Sequence, residues 1–233
     1  MDSRIGSIIA IIPSYNEART IGSVVKDLVL MGLSVIVIDD GSTDNTERIA
    51  LDNGAMVMRN RQNFGKGFSV REGIRHVLKK TNFEWAVIMD ADGQHRPEDI
   101  HGLVEVTNVS DGEKPVDIVI GNRMSNTGPM PLARHVTNRI MSWIISGMCH
   151  QDIPDTQCGY RLIRVSVLGK LKLQSKKYDI DSEMLIRAAS NNMKIRSASV
   201  KTIYGEEVSK IRPIRDTFRF LGLILRHRFS SKK

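Results

Sequence analysis

Asp90 and Asp92 occupy alternate positions in the run Asp90-Ala91-Asp92-Gly93-Gln94-His95. At a strand end such a pair can turn its oxygens toward one hard divalent cation, Mg²⁺ or Mn²⁺, and Gln94 can add a carbonyl oxygen. A cation held there can bridge a diphosphate. Two further polar clusters have the same setting: Pro13-Ser14-Tyr15-Asn16-Glu17 and Asp39-Asp40-Gly41-Ser42-Thr43-Asp44. Each cluster directly follows a short apolar run, Ile8 to Ile12, Val35 to Ile38 and Trp85 to Met89 respectively. In an open α/β sheet, ligands bind at the carboxyl ends of the strands. Carboxylates gathered at neighbouring strand ends repel unless a cation or hydrogen-bond donors share the space. Taken alone, an Asp-x-Asp pair is a solvated turn or a cap for the helix that opens at Pro97; the neighbouring clusters give it weight.

The elements that position these clusters alternate along the first half of the chain. Met56 to Met58 and Ile118 to Ile120 extend the set of short apolar strands. Helices are expected over Ala18 to Leu30, Thr43 to Asn53, Gly67 to Lys79 and Pro97 to Val106, which predicts an α/β domain with a largely parallel sheet. Further on, the pattern predicts helices over Leu132 to Met148 and Asp181 to Asn191, and strands over Tyr160 to Ile163 and Ile195 to Ile203. No G-x-G-x-x-G follows the first strand and no G-x-x-x-x-G-K-[ST] occurs, which disfavours a dehydrogenase and a P-loop NTPase. A nucleotidyltransferase would carry a glycine-rich basic loop where PSYNE stands.

The 233 residues carry a net charge of +8, distributed unevenly. Residues 209–233 hold eight Lys or Arg and one acid, and the remainder is close to neutral. From Pro213 a helix is expected, with Ile214, Phe218, Leu221 and Leu225 on one stripe and Arg212, Arg215, Arg219 and Arg226 beside it. That pattern suits an anionic membrane surface. Nucleic acid is not an expected partner, because aromatic residues make up only 5% and no binding motif is present. Two cysteines make no disulfide framework, and no apolar run reaches the length of a spanning helix, so a cytoplasmic location is expected.

The set PSYNE, DDGSTD, NFGKG at Asn63 to Gly67, DADGQH, GNR at Gly121 to Arg123 and DTQCGYR at Asp155 to Arg161 resembles the inverting family 2 glycosyltransferases. The likeness runs over nearly the whole chain. It implies the GT-A fold, a Rossmann-like, mostly parallel sheet flanked by helices, over residues 1–208, with the basic amphipathic helix of residues 209–233 appended. It implies that Pro13, Tyr15, Glu17, Asp40, Asp90 and Arg123 bind the nucleotide sugar. Asp90, Asp92 and Gln94 would hold Mg²⁺ or Mn²⁺, and Asp92, Arg123 and Asp155 would serve catalysis. Gln94, the pair Arg123 and Arg134, and the segment Thr202 to Asp216 bring the chain nearest to the dolichol-phosphate mannose synthases and related polyprenyl-phosphate glycosyltransferases.

That subgroup implies transfer of a hexose, first of all mannose from GDP-mannose, to a polyprenyl or dolichyl phosphate bound by Arg134, Ser209 and Lys210. UDP-glucose fits the same motifs. A glycan hydroxyl as acceptor would require Asp155 to act as a base; otherwise Asp155 orients Arg161 or the acceptor. Lys66 is expected as a solvated lysine at a helix start, with contact to the donor phosphates as the other reading. The expected place of work is the cytoplasmic face of a membrane, reached through the C-terminal helix.

Overall fold

The computed structural model describes residues 4–79, 82–108, 114–125, 130 and 132–203, with the backbone alone at residues 133 and 134. The strands are β1 Ile8–Ser14, β2 Ser34–Asp39, β3 Met56–Arg59, β4 Trp85–Ile88, β5 Ile118–Asn122, β6 Arg161–Arg164 and β7 Ile195–Ser199. They form one sheet in the order β3-β2-β1-β4-β6-β5-β7. The helices are α1 Ile21–Leu30, α2 Thr46–Asp52, α3 Lys66–Lys79, α4 Ile100–Val106, α5 Leu132–Cys149, α6 Val165–Leu168 and α7 Ile180–Ser190.

All seven residues of β1 are buried. A strand covered on both faces loses the alternation of a half-exposed one, which is why its apolar run is continuous. β1 pairs in parallel with β2 and β4, in registers such as Ile11 with Ile36 and Ile11 with Ile88. The carboxyl ends of β1, β2 and β4 therefore open side by side. α3 lies directly on this part of the sheet: a methyl group at Gly73 would collide with Ile11 Cγ2 and come within 3.3 Å of Ile38 Cγ1. The hydrogen at that position lets the helix axis approach the strands.

β6 runs antiparallel between β4 and β5. Its pattern departs from the other inner strands because arginines occupy both ends. Arg164 is accommodated with its guanidinium 4.4 Å from the Trp85 ring centre and a hydrogen bond to Val116 O at 3.1 Å. Arg161 is buried in the site described below.

Three of the predicted helices, α1, α2 and α4, begin later than their sequence signals, while α3, α5 and α7 begin within a residue of them. α1 starts at Ile21 rather than Ala18, and α2 at Thr46 rather than Thr43, because the intervening residues build hydrogen-bonded loops. Pro97–Asp99 forms a 3-10 turn ahead of α4. The strand expected over 195–203 stops at Ser199, and beyond it Thr202 bridges His95. Among the described residues no helix is long and apolar enough to cross a membrane.

Candidate active site

The loops after β1 and β2 tie themselves together. Asn16, at φ 54°, donates its N–H to Ser42 Oγ at 2.9 Å and accepts Thr43 N–H on its side chain at 2.8 Å. Glu17 N–H reaches Thr46 Oγ1 at 2.8 Å, and Asp44 accepts from Thr46 N at 3.0 Å and from Ala18 N at 3.2 Å. Asp39 accepts Ser42 N–H and hydroxyl. Asp40 is buried and takes Asn60 Nδ2 at 2.8 Å, Phe64 N at 3.0 Å and Gly65 N at 2.6 Å. The expected repulsion among these acids is thus met by hydrogen-bond donors of the chain itself. Pro13 is buried in β1, and Tyr15 and Glu17 stand at its exit, with Tyr15 36% exposed.

Asp40 also fixes the turn that starts α3. This turn delivers Lys66 to the Asp90 carboxylate, 2.7 Å from Nζ, and to the Asp181 carboxylate, 3.0 Å away. The solvated lysine expected from the sequence is instead largely enclosed, with 10% of its side chain exposed. Burial opposes its charge, but the two carboxylates outweigh burial and raise its pKa. Asp90 is treated in the opposite sense: burial pushes its carboxyl up, and the Lys66 charge more than reverses that and holds it below the usual range. A methyl group at position 159 would collide with Asp90 Oδ2 and lie 3.1 Å from Lys66 Nζ, so any larger residue there would have to displace this pair.

A second ion pair lies alongside. Arg123 donates Nε and Nη2 to Asp155 at 2.7 and 3.0 Å, and its backbone N–H reaches the same carboxylate at 3.1 Å. Asn138 Nδ2 at 2.8 Å and Gln157 N at 3.2 Å also donate to Asp155. Burial raises the Asp155 pKa, and the Arg123 fork outweighs it and lowers the value. Asp155 therefore orients Arg123. Arg161, suggested by the sequence as its partner, is fully buried and donates to Thr156 O and Cys158 O, both at 2.9 Å, and to Asp181 O.

Asp92 and Gln94 share the Asp90 turn, where Gln94 N–H donates to Asp92 Oδ1 at 3.0 Å and Gly93 adopts φ 72°. Among the described residues no group of three or more His, Cys, Asp or Glu is disposed to hold a metal ion. The donor set at this turn is two carboxylates and an amide. That set fits Mg²⁺ or Mn²⁺ bound in the manner of phosphate-transfer sites, where substrate phosphates complete the coordination. His95, next in line, is buried against Tyr160 with ring centres 5.3 Å apart, and burial lowers its pKa to about 4, so it is neutral at pH 7.

The structure brings Asp90, Asp92, Gln94, Tyr15, Glu17, Asp40, Arg123 and Asp155 to the same edge of the sheet. Arg134 falls in the first turn of α5. Its side chain, together with Ser209, Lys210 and the expected tail helix, lies outside the described residues. Asp181, Gly159 and Asn138 were not singled out by the sequence. Gly159 stood within the DTQCGYR motif, while Asp181 and Asn138 gave no signal beyond their polarity on apolar-patterned helices.

This architecture is shared with sugar-transferring enzymes of the GT-A fold. Glucosyl-3-phosphoglycerate synthase of Mycobacterium tuberculosis, solved with Mn²⁺, UDP and glucosyl-3-phosphoglycerate, superposes with a TM-score of 0.68 at 19% identity, covering 94% of this chain and 79% of that one. Residues 9–172 match the description glycosyl transferase family 2, and the chain belongs to that family. It is 32% identical over 222 residues to UDP-N-acetylglucosamine--dolichyl-phosphate N-acetylglucosaminyltransferase of Methanococcus voltae, covering 85% of this chain and 86% of that protein. It is 30% identical over 195 residues to undecaprenyl-phosphate mannosyltransferase of Micrococcus luteus, covering 78% of this chain and 77% of that protein.

Proposed function

We propose that this glycosyltransferase moves a hexose from a nucleoside diphosphate sugar to the phosphate of a polyprenyl or dolichyl lipid, with inversion at the anomeric carbon. The observation that carries this reading is the state of Asp155. Its carboxylate is buried, accepts the Arg123 fork and three further N–H groups, and has a lowered pKa, which makes it a poor proton acceptor. A sugar hydroxyl would need a base at that place. A lipid phosphate is already an anion near neutral pH and can attack without one. The relatives named for dolichyl and undecaprenyl phosphate support the same acceptor class.

Asp90 and Asp92, with Gln94, are the residues that would hold Mg²⁺ or Mn²⁺. When bound, the cation supplies charge neutralisation for the departing diphosphate. Arg123, whose Nε and Nη2 are held by Asp155, is assigned to the same developing negative charge as a fixed guanidinium cation. Tyr15, Glu17, Pro13 and Asp40 frame the base and ribose, and Arg134, Ser209 and Lys210 are assigned to the acceptor phosphate. GDP-mannose is the first donor by motif and UDP-glucose the next. The relative from M. voltae, matched over 86% of its length, favours UDP-N-acetylglucosamine as a further reading.

A lipid acceptor requires approach to a membrane surface, here its cytoplasmic face. α5 supports this. Its inner face supplies Asn138 to Asp155, while Leu132, Val136, Ile140 and Trp143 form an exposed stripe, with Leu132 and Trp143 each 78% exposed. An apolar stripe of this kind on a helix suits the headgroup boundary. The basic tail, residues 209–233, is assigned the same role.

The test is a matrix of radiolabelled GDP-mannose, UDP-glucose and UDP-N-acetylglucosamine against short and long polyprenyl phosphates, with and without chelator. Label in the lipid phase from one donor, lost with chelator, is expected. Label that appears only on soluble glycans would overturn the reading.

A further inference from the structure

Asp181 lies 115 residues from Lys66 in sequence, on the first turn of α7, yet it holds the Lys66 ammonium as closely as a second ion-pair partner can. The group is shared: Lys66 Nζ is 2.7 Å from Asp90 Oδ1 and 3.0 Å from Asp181 Oδ2. Arg161 closes the far side, with Nη2 3.7 Å from Asp181 Oδ1 and Nη1 bonded to Asp181 O. Two cations and two carboxylates balance in a mostly buried cluster whose most open member is Asp90. Removing either partner of such a pair leaves an uncompensated buried charge.

Asp90 is also one of the two carboxylates assigned above to a divalent cation. A lysine whose single partner was Asp90 would compete with that cation for the same oxygen and, once displaced, would stand unpaired beside it. The second carboxylate removes this conflict. We propose that Asp181 is a positioning residue that gives the Lys66 ammonium a second partner, so that Asp90 can turn to a divalent cation without stranding a buried lysine. This rests on the metal role assigned to Asp90 under the proposed function.

The surroundings keep Asp181 at its post. Glu183, two residues further along α7, accepts Gln174 N at 3.0 Å, Ser175 N at 2.8 Å and Arg187 Nε at 2.7 Å, and so pins the segment before α7. That segment meets the start of α3, where Phe68 N–H donates to Lys176 O at 3.2 Å. A methyl group at Gly67 would come within 2.6 Å of Ser175 O, so the two elements are in backbone contact. The lysine and its second carboxylate are thus fixed to each other by main chain as well as by charge.

The experiment measures Mn²⁺ binding by the full chain, alone and with GDP or UDP, using electron paramagnetic resonance of free Mn²⁺. Asp181→Asn is expected to weaken Mn²⁺ binding about 10- to 100-fold, the usual cost of removing an outer partner of a metal ligand. Lys66→Met in the same chain is expected to restore it, because the competitor for Asp90 is gone. A structural defect at Asp181 would not be repaired by a second substitution. Equal Mn²⁺ affinity in Asp181→Asn and wild type, or a double variant as weak as the single one, overturns the proposal. Lys66→Met alone must bind Mn²⁺ at least as well as wild type, and a loss there also overturns it, even if Asp181→Asn does not fold. Failure of the wild type to bind Mn²⁺ under any of these conditions removes the metal assignment itself and this proposal with it.

Discussion

Arg123 and Asp155 meet in a two-point clasp, Nε to Oδ2 at 2.7 Å and Nη2 to Oδ1 at 3.0 Å, across 32 residues of chain. The pair acts as a unit, so each half is useless without the other. Arg123→Lys keeps the charge but loses the fork, and should lower turnover about 100-fold, the scale of one lost transition-state donor. Asp155→Asn should cost a similar factor, and the double variant should be little worse than either single one. Losses that multiply would assign the two residues separate roles. Breaking the pair from the Asp155 side should also lower unfolding stability by roughly 3 kcal/mol, read by urea titration.

Acid stability follows from the same kind of carboxylate. Burial raises the Asp155 and Glu183 pKa values, but Arg123 in one case and the Ser175 N–H and Arg187 in the other outweigh it and lower both. The unfolded chain then binds these protons at higher pH than the folded one, so their contribution is present above the ordinary values of 3.8 and 4.5 and is lost as pH falls below them. Stability should therefore be insensitive to these two groups near pH 7 and decline below about pH 4.5. Glu183→Gln should flatten part of that decline in denaturant midpoints. An unchanged acid slope would remove Glu183 from the account.

Gly159 tests the closeness of packing over the Lys66 and Asp90 pair. An added methyl group has no room beside Asp90 Oδ2. Gly159→Ala should retain the folded state by circular dichroism yet weaken binding of nucleoside diphosphate with Mn²⁺ by about tenfold or more, as expected when a ligand's support is displaced. Binding equal to wild type would mean that the 155–161 segment does not bear on the turn.

The outer face of α5 carries Ile140 and Trp143, 54% and 78% exposed. Ile140→Glu with Trp143→Glu should reduce partition to anionic vesicles by about tenfold or more, since apolar burial is replaced by charge of the wrong sign. Donor binding should be unchanged. Equal vesicle binding would leave the membrane contact to other parts of the chain.

Much of this could be seen in the amino-acid order. The strands β1, β2 and β4 are doubly covered, so their apolar runs are unbroken, and the polar residues that follow them mark the sheet edge where the site forms. The antiparallel setting of β6 left no such mark, because a four-residue strand bounded by Arg161 and Arg164 carries no direction in its pattern. Lys66 resembled an exposed helix-start lysine because its second partner, Asp181, is brought to it by the fold alone. Asp155 belonged to a legible motif, yet its choice of Arg123 over Arg161 depends on how β5 and β6 lie next to each other.

The central claim is that the acceptor supplies its own negative charge, and one comparison tests it most directly. Polyprenyl phosphate and the corresponding free polyprenol are offered to the full chain with each labelled donor and Mn²⁺, and the lipid-bound sugar is counted. Label on the phosphate and none on the alcohol is the predicted result. Label on the alcohol, with the phosphate inert, would contradict it.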